Sequence, residues 1–223
     1  MSEEEKKSAE KEAQDEENEE DSYSLSDLLG DVLDILEAGA ASIFVFILLF
    51  AFVMRPVTVD GGSMNPTLYN LDKLLILTPF KGTNGSIVVV DDQEGAVFSD
   101  PEQTVVMQQP GLGKVLIKRL IAHEGQVLDI DTTAGTVTVD GNVLDEPYIA
   151  DLTLREDGAF TYPLTVPEGY IFVMGDNRLN STDSRSPAVG LVPVKEVLGT
   201  AIFRYDRESD LTEKWYDRFG KLF

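Results

Sequence analysis

With 223 residues and 43% hydrophobic side chains, the chain is long enough for one domain with a sizeable core plus an extension. It has no cysteine and a single histidine, which excludes disulfides, thiolate chemistry and multi-histidine metal sites. A formal net charge of -22 argues against nucleic acid as a partner, because phosphates need a basic face to neutralise them.

The acidity is uneven. Residues 1–37 hold 15 acidic and 3 basic side chains, more than half of the net charge. Residues 1–23 include almost no large apolar side chain and read as a disordered acidic tail, since they cannot bury enough surface to offset chain entropy. Over residues 24–37, Leu25, Leu28, Leu29, Val32, Leu33 and Leu36 recur at helical spacing, with Ser24 or Ser26 placed to cap them. That predicts an amphipathic helix. Residues 38–54 carry no charge and approach the lower limit for crossing a bilayer as a helix, until Arg55-Pro56 ends the run. A removable leader would sit nearer the N-terminus behind a basic segment and end in small residues, so the run reads as an uncleaved transmembrane anchor with membrane lipid as a partner.

From residue 55 to 206 the texture changes to short β-branched runs broken by Gly, Asp, Asn and Pro. Strands are expected at 57–59, 73–77, 87–90, 104–107, 115–121, 127–130, 136–139, 170–174 and 197–203. Asp140-Gly141 between two such runs is a two-residue hairpin signal. The expected fold class is mainly β, with coiled antiparallel sheets or an open barrel behind one N-terminal transmembrane helix. Residues 93–113, with Pro101, Pro110, Gly111 and Gly113, read as a loop longer than the core needs. Residues 207–223 read as a C-terminal amphipathic tail, with Leu211, Trp215, Phe219 and Phe223 at four-residue spacing.

Three stretches carry candidate chemistry. In Gly61-Gly62-Ser63-Met64-Asn65-Pro66-Thr67-Leu68 the glycines loosen the backbone and the proline fixes the exit. Ser63 is thereby presented as a candidate nucleophile, although the segment taken alone also reads as a surface turn between strands. Only about eight residues separate it from the anchor, a reach of roughly 30 Å at most. In Val115-Leu116-Ile117-Lys118-Arg119-Leu120-Ile121, alternation turns Ile117 and Arg119 one way and Lys118 the other, beside Leu116 and Leu120. Lost hydration there would lower the lysine pKa towards that of a usable base. The bland alternative is a strand edge with Lys118 and Arg119 in water. The third stretch, residues 174–185, is rich in Asp, Asn and Ser, with Arg178 and Arg185 spaced to pair with Asp176 and Asp183.

Taken together, these stretches resemble the bacterial type I signal peptidases, membrane-anchored Ser/Lys proteases that remove signal peptides. The serine box is matched by Gly62 to Leu68, the lysine box by Lys118-Arg119, and the glycine-aspartate-asparagine box by Gly175 to Arg185. Gly61 stands where some members carry a serine that helps to stabilise the oxyanion, as in many Gram-positive-type members. The lysine box usually continues Gly-Leu-Pro-Gly-Asp, whereas here it continues Ala122-His123-Glu124-Gly125-Gln126, and His123 is expected on the surface of that turn.

The resemblance implies Ser63 as nucleophile and Lys118 as general base and then acid. Ser181 would orient the lysine by a hydrogen bond, and the Ser63 N–H would serve the oxyanion. Asp176, Asp183 and Arg185 would act as scaffold. Val57, Val59, Met64, Leu68, Leu74 and Ile117 would line shallow pockets for small side chains at the first and third positions before the cut. No cofactor and no metal is implied, and the substrates would be secretory preproteins. The positive-inside rule, resting on Arg55 alone, weakly favours a cytoplasmic β domain. The resemblance implies the reverse, with the tail cytoplasmic and the β domain outside. A Ser/Lys self-cleaving repressor shares this chemistry but carries a DNA-binding domain and no anchor, and a catalytically silent anchor protein is the alternative of another class.

Overall fold

The computed structural model describes residues 24–207 and 220–222, so the acidic tail and most of the C-terminal tail lie outside the described residues. The chain divides into two units, residues 1–49 and 50–223. In the first, the two segments read separately at 24–37 and 38–54 form one continuous helix, α1 (Leu25–Phe52). Ser24 caps it: its Oγ accepts the Ser26 N–H, while the Asp27 carboxylate accepts the Ser24 N–H. No residue of α1 is buried. Its 28 residues rise about 42 Å, which exceeds the hydrocarbon core of a bilayer, so it is long and apolar enough to cross one.

The second unit is mainly β, as expected, with two antiparallel sheets that do not close. The larger sheet contains β1 (Met54–Thr58), β2 (Lys73–Leu77), β3 (Ile87–Phe98), β4 (Val106–His123), β9 (Tyr170–Met174), β10 (Val192–Pro193), β11 (Val197–Asp206) and β12 (Gly220–Lys221). Its order is β1-β2-β11-β3-β4-β9-β10, with β12 pairing β11. The smaller sheet contains β5 (Val127–Asp131), β6 (Thr136–Val139), β7 (Asn142–Val143) and β8 (Leu164–Thr165) in the order β7-β6-β5-β8. Asp140 and Gly141 both have positive φ, as the turn that joins β6 to β7 requires.

Apolar patterning explains the layers. Residues 87–90 are buried on both faces of their strand: Ile87 and Val89 join a cluster with Met64, Leu68, Leu74 and Ile76, whereas Val88 and Val90 join Leu120, Ile171 and Val173. A third cluster, with Leu128, Phe160, Leu164 and Phe172, fills the space beneath the smaller sheet.

The long loop expected over 93–113 is instead a ribbon of β3 against β4 that continues to Phe98 and Val106. Val97 and Val106, packed against the third cluster, give this ribbon an apolar side. Pro110, Gly111 and Gly113 did not end it because they sit at an irregularity. The register shifts between Asp92 and Glu94, and Gly111 lies so close to the Asp92 carbonyl that a Cβ would come within 2.4 Å. Gly113, at φ +64, completes the bend. His123 likewise ends β4, part-buried, rather than sitting on an exposed turn.

Candidate active site

Ser63 lies in the turn that follows β1. Gly61 takes φ +95 and donates its N–H to Asn70 Oδ1. Met64 and Leu68 fill the core beneath. The apolar side of the turn is therefore anchored while the half-buried Ser63 faces out.

Lys118 comes from β4, where alternation places it beside Leu116 and Leu120 as the pattern predicted. It is 3% exposed, and its Nζ donates to Ser63 Oγ at 2.7 Å. Burial pushes the ammonium down from its ordinary 10.5 to about 8. The carboxylates of Asp183, Asp176 and Asp92 pull it partly back up, while the Arg185 guanidinium pushes it down. Near neutral pH a usable fraction of the amine is neutral, in contact with the hydroxyl it would deprotonate.

The third stretch forms a rigid block behind the pair. Asp183 and Arg185 are both fully buried and bonded to each other, and Asp183 Oδ2 also accepts the Gly175 N–H. Burial alone would raise the Asp183 carboxyl, but the Arg185 guanidinium and the Gly175 N–H hold it below its ordinary range. Asp176 is bonded twice by Arg119, whose guanidinium stacks 3.7 Å above the Tyr148 ring. Arg178, fully buried, donates to Glu146, Thr153 and the Gly175 carbonyl. Ser181 is brought to the site, but its buried Oγ has no hydrogen-bond partner among the described residues, so it does not bond Lys118 here.

Two contacts escaped the sequence reading. The Asn177 N–H donates to the Ser63 carbonyl and its Nδ2 to the Gly62 carbonyl, which ties the Ser63 turn to the block. A Cβ on Gly175 would lie 2.5 Å from the Ser63 carbonyl oxygen and 2.2 Å from Ser181 Oγ, so only glycine fits. The Ser63 N–H donates to no acceptor among the described residues and remains open to an oxyanion.

A cleft of about 770 Å³ leads to the pair. Val57, Val59, Met64 and Ile117 line it, joined by Val89, Val115 and Leu198, which the sequence reading had not assigned. Leu68 and Leu74 do not line it; they are wholly buried in the cluster below. One wall is β1, the edge of the larger sheet, and the other is residues 114–118 of β4, which pair with β3 on one side only. Both walls thus offer backbone donors and acceptors to an extended chain.

The family model described as signal peptidase, peptidase S26, matches residues 32–206. A signal peptidase I of Bacillus licheniformis is 31% identical over 75% of this chain and 85% of its own length. A probable signal peptidase I-1 of Synechocystis is 37% identical over 71% of this chain and 74% of its own. A solved signal peptidase I from Enterococcus faecalis is 26% identical, covering 53% of this chain and 95% of that one at a TM-score of 0.38.

Proposed function

Because this chain belongs to the signal peptidase family, peptidase S26, and is a serine endopeptidase that removes signal peptides from preproteins, we propose that Ser63 and Lys118 perform the hydrolysis. The observation that carries this reading is the 2.7 Å contact between a buried lysine and a serine hydroxyl. Neutral Lys118 takes the hydroxyl proton as Ser63 Oγ bonds to the scissile carbonyl carbon, and the Ser63 N–H holds the resulting oxyanion. The ammonium then returns that proton to the departing amine as the C–N bond breaks, which leaves an acyl ester on Ser63. Lys118 next takes a proton from a water that attacks the ester carbonyl, and returns it to Ser63 Oγ as the acyl C–O bond breaks, which frees the carboxyl product and regenerates Ser63.

The signal peptide lies extended between residues 57–59 and 114–118, with its first and third residues before the cut facing Val57, Val59, Met64 and Ile117. Small side chains suit that wall. Ser181, with its unpartnered hydroxyl beside Gly175, orients Lys118 when substrate fills the cleft. Detergent-solubilised protein incubated with a preprotein should release the mature chain, whereas Ser63→Ala should release none. Equal processing by the two would refute the assignment.

Helix α1 anchors the enzyme in membrane lipid, with the N-terminus cytoplasmic and the β unit outside, where cleavage sites of exported chains emerge. Protease added to intact spheroplasts should degrade the β unit, and full protection would overturn this orientation.

A further inference from the structure

A second cleft of about 430 Å³ meets the first at Ser63, Lys114, Leu116 and Lys118. The charged residues lining it are Lys114, Lys118 and Arg155, with no acid among them, in a chain whose net charge is -22. Their charges are not equally free. Lys118 is buried against Ser63, and Arg155 is committed to Asp157 and to the Leu179 carbonyl. The Lys114 side chain is exposed and makes no hydrogen bond or ion pair among the described residues.

Strand geometry decides what meets Lys114. Successive side chains of β4 alternate: Val115 and Ile117 line the first, more apolar cleft alone, whereas Lys114, Leu116 and Lys118 reach the second, polar one as well. A peptide extended beside residues 114–118 alternates in the same way. If its first and third residues before the cut enter the apolar cleft, its second and fourth turn towards the lysine face. Lys114 and Lys118 are four residues apart, about 13 Å along the strand, so the fourth residue falls opposite Lys114. A carboxylate there stays well outside the ~4–6 Å within which an opposite charge raises a lysine pKa, so it leaves the base undisturbed. The one acid in the two linings, Asp60, belongs to the apolar cleft alone.

Resting on the placement of the signal peptide given above, we propose that Lys114 is a specificity-determining residue that favours an aspartate or glutamate, and disfavours a lysine or arginine, at the fourth position before the cut.

The test uses three peptides with identical small residues at the first and third positions, differing only in Asp, Asn or Lys at the fourth. With the full-length wild-type enzyme in detergent at low salt, kcat/KM should fall from Asp to Asn to Lys, by about two- to five-fold between the extremes. The spread should narrow at high salt. In Lys114→Glu the ratio of Asp to Lys peptide should invert, and reading a ratio cancels any general loss in the variant. A wild-type ratio of one, or the same ratio in Lys114→Glu, overturns the inference. In that case, Asn-peptide cleavage that disappears in Ser63→Ala leaves the Ser63 and Lys118 assignment standing. Failure of the wild type to cleave any of the three overturns both.

Discussion

Lys118→Arg should lower kcat by roughly two to four orders of magnitude, because arginine keeps the charge but has no neutral form at working pH. The wild-type rate should rise with pH along a limb centred near 8, the value to which burial brings the lysine. The sign follows from which form reacts: the neutral amine is the base, and its fraction falls about tenfold for each pH unit below that midpoint.

The same depression acts on stability. In the unfolded chain the lysine titrates near 10.5, so below pH 8 the folded protein holds a buried ammonium at a cost of about 3 kcal/mol. That cost is relieved as the pH rises from 8 to 10.5, and stability contributed by this group is lost again as the pH falls through 8. Lys118→Met should therefore be inactive yet more resistant to denaturant than wild type at pH 7, with the advantage shrinking above pH 8. Near-wild-type turnover in Lys118→Arg, or a pH-independent stability gap in Lys118→Met, would refute the assignment.

The second large effect is expected at Asp183. Asp183→Ala leaves the fully buried Arg185 guanidinium without the carboxylate that bonds it and frees the Gly175 N–H. Removing one partner of a buried pair costs about 3–5 kcal/mol. In a protein of this size that lowers Tm by roughly 10 °C, which differential scanning calorimetry would register. Activity gives a second readout. Asp183 raises the Lys118 pKa and Arg185 lowers it, so loss of the carboxylate should move the rising limb towards lower pH. An unchanged Tm with an unmoved limb would exclude the supporting role.

Much of this site was legible in the sequence because its determinants are local. Alternation in residues 115–121 placed Lys118 opposite Ile117, and the glycines before Ser63 announced a turn that presents a side chain. The errors fall where the deciding contact is long-range. Leu68 and Leu74 look like Val59 and Met64 in composition, yet the packing of β2 and the serine turn puts them beneath the cleft rather than along it. Residues 93–113 were misread because proline and glycine usually end strands, and only the approach of Gly111 to Asp92 reveals that here they bend one. The hold of Asn177 on Gly62 and Ser63 spans more than 110 residues, and no local pattern signals it.

That bend has a mechanical consequence. Moving a strand by one residue exchanges its two faces, so a slip of residues 115–119 against β3 would turn Lys118 away from Ser63 and Ile117 into its place. The irregularity at Asp92 and Gly111 divides the ribbon into a proximal half, whose pairing is dictated by buried valines, and a distal half that runs out to Phe98 and Val106. Length changes near the tip at residues 99–105 can be taken up there without reaching Lys118. The ribbon's outer end is thus free to diversify while its inner end keeps the phase of the strand.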